Sequence, residues 1–321
     1  MKRLCSCSVL LACVVMLAPA LHADVKTVQK TTFKLEGLLG AFLNRAAGGD
    51  DGVTATTTVK GNRMSRMAGT TGEIIDLGEE KVYRVDVKKK EYSAVTFAEM
   101  RAELEKAKAD MAKRQAEMNP QDKANAQEAA RQIEFDVDVK QTDETRSMAG
   151  QTTRKAILTI TMHEKGKPVE QSGGMIMTST MWMAPRVAAL DEIADFQTKY
   201  FKAVYGGAFT GLDMQQMNAL SAMFSGIGGL YERSAAEMRK LQGTPLATTT
   251  VIESMKSAEQ MANAPKSSGG GLGGMLAARM MRGQSQQRTT TLTTTVETQS
   301  IATTASADDV AIPAGFKEKK K

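Results

Sequence analysis

Short, threonine-rich segments in which apolar and polar residues alternate recur along most of this chain. Alternation with a period of two places every second side chain on the same face of a β-strand. In residues 81–87, the side chains of Tyr83 and Val85 fall on one face, whereas those of Arg84 and Asp86 fall on the other. Such strands are typical of antiparallel sheets with one face toward water. Strands are predicted over residues 25–35, 53–60, 72–77, 81–87, 91–97, 133–142, 153–163, 167–183, 244–255 and 288–301.

Turn residues separate many of these segments. Gly61-Asn62, Gly69, Gly72 and the lysine run at 88–90 stand where the chain must reverse between predicted strands. Glycine and asparagine tolerate the backbone angles that tight hairpin turns require. Consecutive strands are therefore expected to pair antiparallel.

Helical periodicity replaces the alternation after residue 97. Apolar residues recur three and four apart over 97–118, and Thr96 and Glu99 form a capping box at the start. A second helix is predicted over 119–133. The apolar stripe is narrow and its surroundings are charged, so residues 97–133, the helical arm, are interpreted as a helical hairpin insertion that can be removed without loss of the core. A partner-binding coiled coil is the alternative.

Further helices are predicted between the later strands. One begins at Pro185 and ends at Gly206-Gly207, and another covers about 212–241. Together with the strands, these segments indicate an α+β fold that is dominated by an antiparallel sheet.

The first 23 residues have the pattern of an export signal. Lys2 and Arg3 precede an apolar run over 4–17 that is too short to span a bilayer. Cleavage is expected near Ala23, which leaves a mature domain of residues 24–321 in the periplasm with no transmembrane segment. A lipidated Cys13 is a weaker alternative.

Removal of the signal would restrict the chemistry open to the mature chain. All three cysteines precede residue 24, and His163 is then the only histidine. A cysteine nucleophile or a His/Cys zinc site cannot be built from these residues. His163 is interpreted as an exposed residue at a strand end, and no pair of carboxylates stands out. We expect no catalytic residues, no metal site and no cofactor, and the mildly positive charge does not favour nucleic acid as a partner.

Two glycine-flanked inserts join predicted strands. Residues 263–287 are low in complexity, and residues 37–52 share their short apolar cluster and arginine content. They are interpreted either as flexible hairpin tips or as apolar lips that cover a cavity or make peripheral contact with a membrane.

The order of strands and helices is similar to that of the LolA-like incomplete β-barrel of periplasmic lipoprotein carriers. Residues 59–101, 180–201 and 293–317 resemble an uncharacterised family of exported LolA-like domains. The resemblance implies a curved sheet whose concave, apolar side is partly filled by helices. In characterised carriers, that cavity holds acyl chains. The chain differs from them in its long charged segment 97–133 and its insert 263–287.

A methionine stripe is the candidate cavity wall. Met175, Met177, Met181 and Met183 alternate along one predicted strand, and the only tryptophan, Trp182, points to the other face. Methionine adapts its shape to irregular partners. We expect a non-enzymatic protein that binds a hydrophobic or lipid-like molecule there. Plain core packing, a structural or interaction protein of the cell envelope that uses the helical arm, and a soft-metal site without a nearby histidine remain alternatives.

Overall fold

The computed structural model describes residues 24–36, 51–117, 119, 121, 132–206, 233, 234, 236, 237, 239–262 and 287–319. Several predictions lie outside these ranges. They are the export signal, the second helix of the arm, most of the helical stretch 212–241, and nearly all of the two inserts. All of the predicted strands lie inside them.

The described residues form twelve β-strands, four α-helices and one turn of 3-10 helix. The strands are β1 (Val25–Leu35), β2 (Val53–Lys60), β3 (Arg63–Ala68), β4 (Thr71–Asp76), β5 (Lys81–Asp86), β6 (Glu91–Thr96), β7 (Ile133–Met148), β8 (Gln151–Glu164), β9 (Gly174–Ala184), β10 (Thr244–Met255), β11 (Arg288–Ala302) and β12 (Lys317–Glu318). The helices are α1 (Phe97–Glu117), α2 (Val169–Ser172), α3 (Ala188–Tyr205) and α4 (Ala258–Ala262), and the 3-10 turn covers Asp308–Val310.

All twelve strands belong to one curved sheet with the order β12-β6-β5-β4-β3-β2-β1-β11-β10-β9-β8-β7. Neighbouring strands are antiparallel except for β12, which runs parallel to β6. Within the described residues no pairing joins β7 to β12, so the sheet is not closed. The predicted α+β class with a dominant antiparallel sheet is confirmed.

The segment that contains α1 connects two distant strands. It leaves β6 near one edge of the sheet and returns to β7 at the opposite edge. The capping box at its start is confirmed, because the backbone N–H of Thr96 donates to Glu99 at 2.8 Å and the N–H of Glu99 donates to Oγ1 of Thr96 at 3.1 Å. The interpretation of this segment as an insertion that can be removed without loss of the core stays a prediction.

Helix α3 packs on one face of the first half of the sheet. Its Phe196 and Val204 lie in a cluster with Val25 of β1, Val59 of β2 and Phe97 of α1, all of which are buried. Each such side chain contributes about 1.5–3 kcal/mol of burial free energy. This packing makes the first turn of α1 part of the core, although the helix continues outward.

The C-terminal segment covers the other face of the same half. Ile312 and Phe316 pack against a buried cluster formed by Ile74, Tyr83 and Val85, and β12 then joins the edge of the sheet next to β6. The first half of the sheet is therefore covered on both faces.

Two local features differ from the sequence-based expectations. Strand β3 was not predicted, because its residues carry arginine and serine in place of a clear apolar alternation. The segment 167–183 was predicted as one strand, but it contains helix α2 and then turns at Gly173, whose φ is 72°. A Cβ at Gly174 would lie 2.0 Å from the carbonyl oxygen of Met162, so β9 begins at a position that requires glycine.

Candidate ligand-binding face

Strand β9 presents Met175, Met177, Ser179, Met181 and Met183 on one side, which we call the methionine face. It is the side of the sheet on which α3 packs. Strand pairing shows this, because Ser179 lies opposite Thr250, Thr250 opposite Thr294, and Thr294 opposite Phe33. Phe33 shares its face of β1 with Val25, which α3 covers.

Apolar residues of the neighbouring strands extend the methionine face. Directly opposite residues in an antiparallel sheet share a face and lie about 5 Å apart. One complete row across six strands is apolar, and all of its members are partly or largely accessible. In spatial order, the row contains Leu35, Leu292, Ile252, Met177, Ile160 and Val137.

The next row places hydroxyl groups in its centre. The hydroxyls of Ser179 and Thr250 form a hydrogen bond of 2.9 Å, and Leu158 and Val139 continue the row on β8 and β7. Because the two hydroxyls satisfy each other, they add little cost to an apolar surface.

Burial divides the methionine face into two parts. Met181 and Met183 are 4% and 9% exposed and lie in a cluster with Leu241. Met177 is partly buried and Met175 is 38% exposed. The predicted wall residues thus share one side as expected, but two of them are packed and two are accessible.

The opposite face of this half of the sheet is mixed, because it carries hydroxyl and charged groups as well as Ile176, Ile157 and Val251. Thr178, Thr180 and Trp182 alternate with the methionines, and the guanidinium of Arg146 lies 4.1 Å from the centroid of the Trp182 ring. Such a contact stabilises by about 0.5–1 kcal/mol at a partly exposed site. The two faces of β9 therefore differ in the surface they offer to a ligand.

A concavity of about 730 Å³ lies where the methionine face meets the start of α3. Ala156 and Met183 form its apolar wall. Its described lining contains four basic residues and no acidic one, although Lys155 lies opposite Trp182 in the register and its side chain therefore leaves the sheet on the other face. The basic residues are Arg154, Lys155, Arg186 and Lys240.

Two other concavities offer a different chemistry. One of about 410 Å³ lies under α3 and is lined by Arg66, Glu73 and Gln197 among others. Another, of about 630 Å³, lies at the end of β3 to β6 and contains Arg84 and Asp86. Charges of both signs line these two spaces, so they suit an apolar chain less well than the methionine face does.

The interpretation of His163 as an exposed residue was wrong. Its imidazole is about 8% exposed, with Nε2 at 2.9 Å from a carboxylate oxygen of Asp136 and Nδ1 at 3.0 Å from the carbonyl oxygen of Glu164. Burial lowers the pKa of His163, but hydrogen bonds to Glu164 and Asp136 outweigh it, so the pKa is raised. The imidazole thereby links β8 to the edge strand β7, on the face of the sheet opposite the methionine face.

The described residues offer no group of three or more His, Cys, Asp or Glu side chains arranged to hold a metal ion. Among the helices in these ranges, none combines the length and the apolar character needed to cross a membrane.

Apart from the four methionines, most residues of the candidate site were not predicted from the sequence. The apolar rows need side chains from β1, β7, β8, β10 and β11, and the alternation of each strand carried that signal, as in Val137 and Val139 or in Leu158 and Ile160. The basic concavity had no sequence signal, because its side chains meet only through the pairing of β8 with β9 and the return of the chain before β10.

Comparison with protein-family models finds no family that matches this sequence, and comparison with curated proteins finds no significant relative. The class of protein is therefore defined by its architecture: an open antiparallel sheet with a partly accessible apolar band on the face that carries α3.

Proposed function

We propose that this protein is a non-enzymatic, exported protein that binds a hydrophobic or lipid-like molecule on its methionine face. The observation that carries the proposal is the apolar row through Met177, which crosses six strands and remains partly accessible. Contiguous exposed apolar patches on soluble proteins commonly mark sites that bind a partner or ligand.

The chemistry of the wall supports this assignment. Thioether side chains have several rotamers of similar energy, so they fit ligands of variable shape. The sheet is not closed within the described residues, so a flexible chain can approach the row from the side. The order of strands and helices is similar to that of periplasmic lipoprotein carriers, whose cavity holds acyl chains, and this likeness supports the same function and a periplasmic location.

The proposal is tested with a neutral, environment-sensitive dye such as N-phenyl-1-naphthylamine. The wild-type protein should bind the dye and enhance its emission. Met177→Glu should weaken binding about tenfold or more, because a carboxylate in the centre of the row must stay hydrated and each 1.4 kcal/mol of lost contact is one decade of affinity.

Thr178→Glu is the matched control, since it adds the same charge one residue away on the opposite face. It should leave the affinity for the dye unchanged. If the wild-type protein binds no apolar dye, or if both variants weaken binding equally, the proposal is wrong. If the dye binds as expected, lipid extraction of the protein purified from its native envelope, followed by mass spectrometry, identifies the ligand class directly.

A structural or interaction role for α1 is the second candidate. Beyond Leu104, the side chains described on this helix are exposed, so a surface is present that a partner can contact. Affinity capture with the wild-type protein and with a variant in which this surface is recharged would distinguish the two roles, because the ligand-binding proposal predicts no dependence on α1.

A further inference from the structure

The basic concavity continues the methionine face without a gap. Arg154 of β8 lies directly opposite Met183 of β9 in the strand register, so the two side chains leave the sheet on the same face, about 5 Å apart at their bases. Ala156, two residues along β8, lies opposite Met181. A positively charged group therefore stands at one end of an apolar wall.

Three of the four basic residues that line the concavity have acidic partners. Lys155 binds both carboxylate oxygens of Glu144, at 2.9 and 3.1 Å. The Nε atom of Arg186 lies 2.7 Å from Asp191. Lys240 pairs with Glu237, one turn before it.

Arg154 differs from these three residues. Among the residues that the structure describes, it forms no ion pair, and its side chain is exposed. Its guanidinium carries five N–H donors in a planar fork that matches a carboxylate with two parallel hydrogen bonds. The concavity thus holds one positive charge that the described acidic residues do not balance.

From this arrangement we propose that the ligand is a long-chain carboxylate, whose head group is bound by Arg154 while its chain lies along the methionine face. This inference rests on the proposed function and adds the chemical class and the orientation of the ligand. Met183 and Met181 are packed, so the acyl chain passes over Val139 and Val137 of β7, which share the methionine face and are partly accessible. It reaches Met177 about 20 Å from the level of Arg154. A neutral amphiphile of equal length can accept only a single uncharged hydrogen bond from the guanidinium, and a cationic one is repelled by it.

The test compares three ligands with the same chain: dodecanoate, dodecanol and dodecylamine. Each displaces N-phenyl-1-naphthylamine from the full-length protein at low ionic strength, below its micelle concentration. For the wild-type protein, dodecanoate should compete about tenfold more strongly than dodecanol, and dodecylamine should be the weakest. Added salt should reduce the preference for dodecanoate, because Arg154 is exposed.

Substitutions locate the interaction. Arg154→Gln should weaken dodecanoate about tenfold and leave dodecanol and the dye unchanged. Arg154→Lys should retain part of the preference, because it keeps the charge and loses the fork. Lys140→Gln removes the same charge from the neighbouring strand β7, on the opposite face, and should change nothing.

The outcomes separate this inference from the proposed function. If dodecanoate and dodecanol compete equally, or if Arg154→Gln weakens both alike, the head-group assignment is wrong while binding on the methionine face stands. If no ligand displaces the dye because the dye itself does not bind, the proposed function has failed. Circular dichroism of each variant confirms that the comparison is made between folded proteins.

Discussion

The Nζ atom of Lys26 lies 2.7 Å from Oδ1 of Asp309, although 283 positions separate the two residues in the chain. The same carboxylate accepts hydrogen bonds from the backbone N–H and the hydroxyl of Ser306. The bond from Lys26 and those from Ser306 lower the pKa of Asp309 to about 2. This contact fastens the C-terminal segment to β1.

Replacing Asp309 should destabilise the protein in a way that depends on pH. The pKa of Asp309 is lower in the folded protein than its usual value of about 3.9, so its stabilisation is present above that value and is lost as the pH falls toward about 2. Asp309→Asn should lower the free energy of unfolding by up to about 1 kcal/mol at neutral pH, and by less in acid. Urea denaturation at several pH values measures this, with Asp308→Asn as the control; an equal effect at all pH values would contradict it.

The pair of His163 and Asp136 should stabilise the protein with the opposite dependence on pH. Because the pKa of His163 is raised in the folded protein, its stabilisation is present below the unfolded value of about 6.5 and is lost as the pH rises through the folded value. Asp136 is 70% exposed, so the effect should stay below about 1 kcal/mol. His163→Gln should lower the melting temperature more at about pH 5.5 than at about pH 8.5.

Asp136→Asn provides the matched control for His163. It should reduce the same pH dependence, since it removes the carboxylate that holds the imidazolium. Glu134 lies directly opposite His163 in the register and can contribute to it. A pH dependence that survives in the variant lacking both Asp136 and Glu134 would contradict this assignment.

The sequence predicts which side chains of a strand share a face, but it does not predict which strands lie next to each other in the sheet. Alternation alone placed Met177 and Met181 on one face and Trp182 on the other, because the period of a strand is a local property. The meeting of β1 with β11 depends on residues far apart in the chain. The role of Ile312 and Phe316 could not be inferred either, because their partners belong to β4 and β5.

The two parts of the methionine face should respond differently to charge. Met181→Glu places a carboxylate in a packed cluster beside Leu241, where it either remains unpaired or becomes protonated, and it should cost several kcal/mol. Met177→Glu can keep its carboxylate hydrated and should cost about 1 kcal/mol or less. Thermal melting of both variants checks the contrast. Equal losses would show that the row through Met177 is also packed.

The capping box at the start of α1 should have a measurable effect on stability. Thr96→Ala removes the hydroxyl that accepts a bond from the N–H of Glu99 and should cost about 1 kcal/mol. Because Phe97 is fully buried beside this cap, the loss should be seen in global unfolding by urea. Glu105→Ala, at an exposed site on the same helix, should change stability by less than about 0.5 kcal/mol.

The exposure of each methionine in the candidate site could not be predicted from the sequence, because it depends on residues far away in the chain. Met175 and Met183 have the same parity and the same chemistry, yet one is 38% and the other 9% exposed. Met183 lies in a buried cluster that includes Leu241, from a segment more than fifty residues further along the chain, whereas Met175 is not a member of that cluster. Only the tertiary structure brings Met183 and Leu241 together.

The position of β1 in the sheet has a consequence for how the chain acquires its structure during synthesis. One flank of β1 is completed by β2 soon after both emerge, but the other must wait for β11, whose Thr298 binds Gln29 across 269 positions. Until then, β1 presents an unpaired edge, which is a template for association between chains. Nascent or truncated chains that end before residue 288 should therefore need protection by a holding chaperone, whereas the complete chain should not.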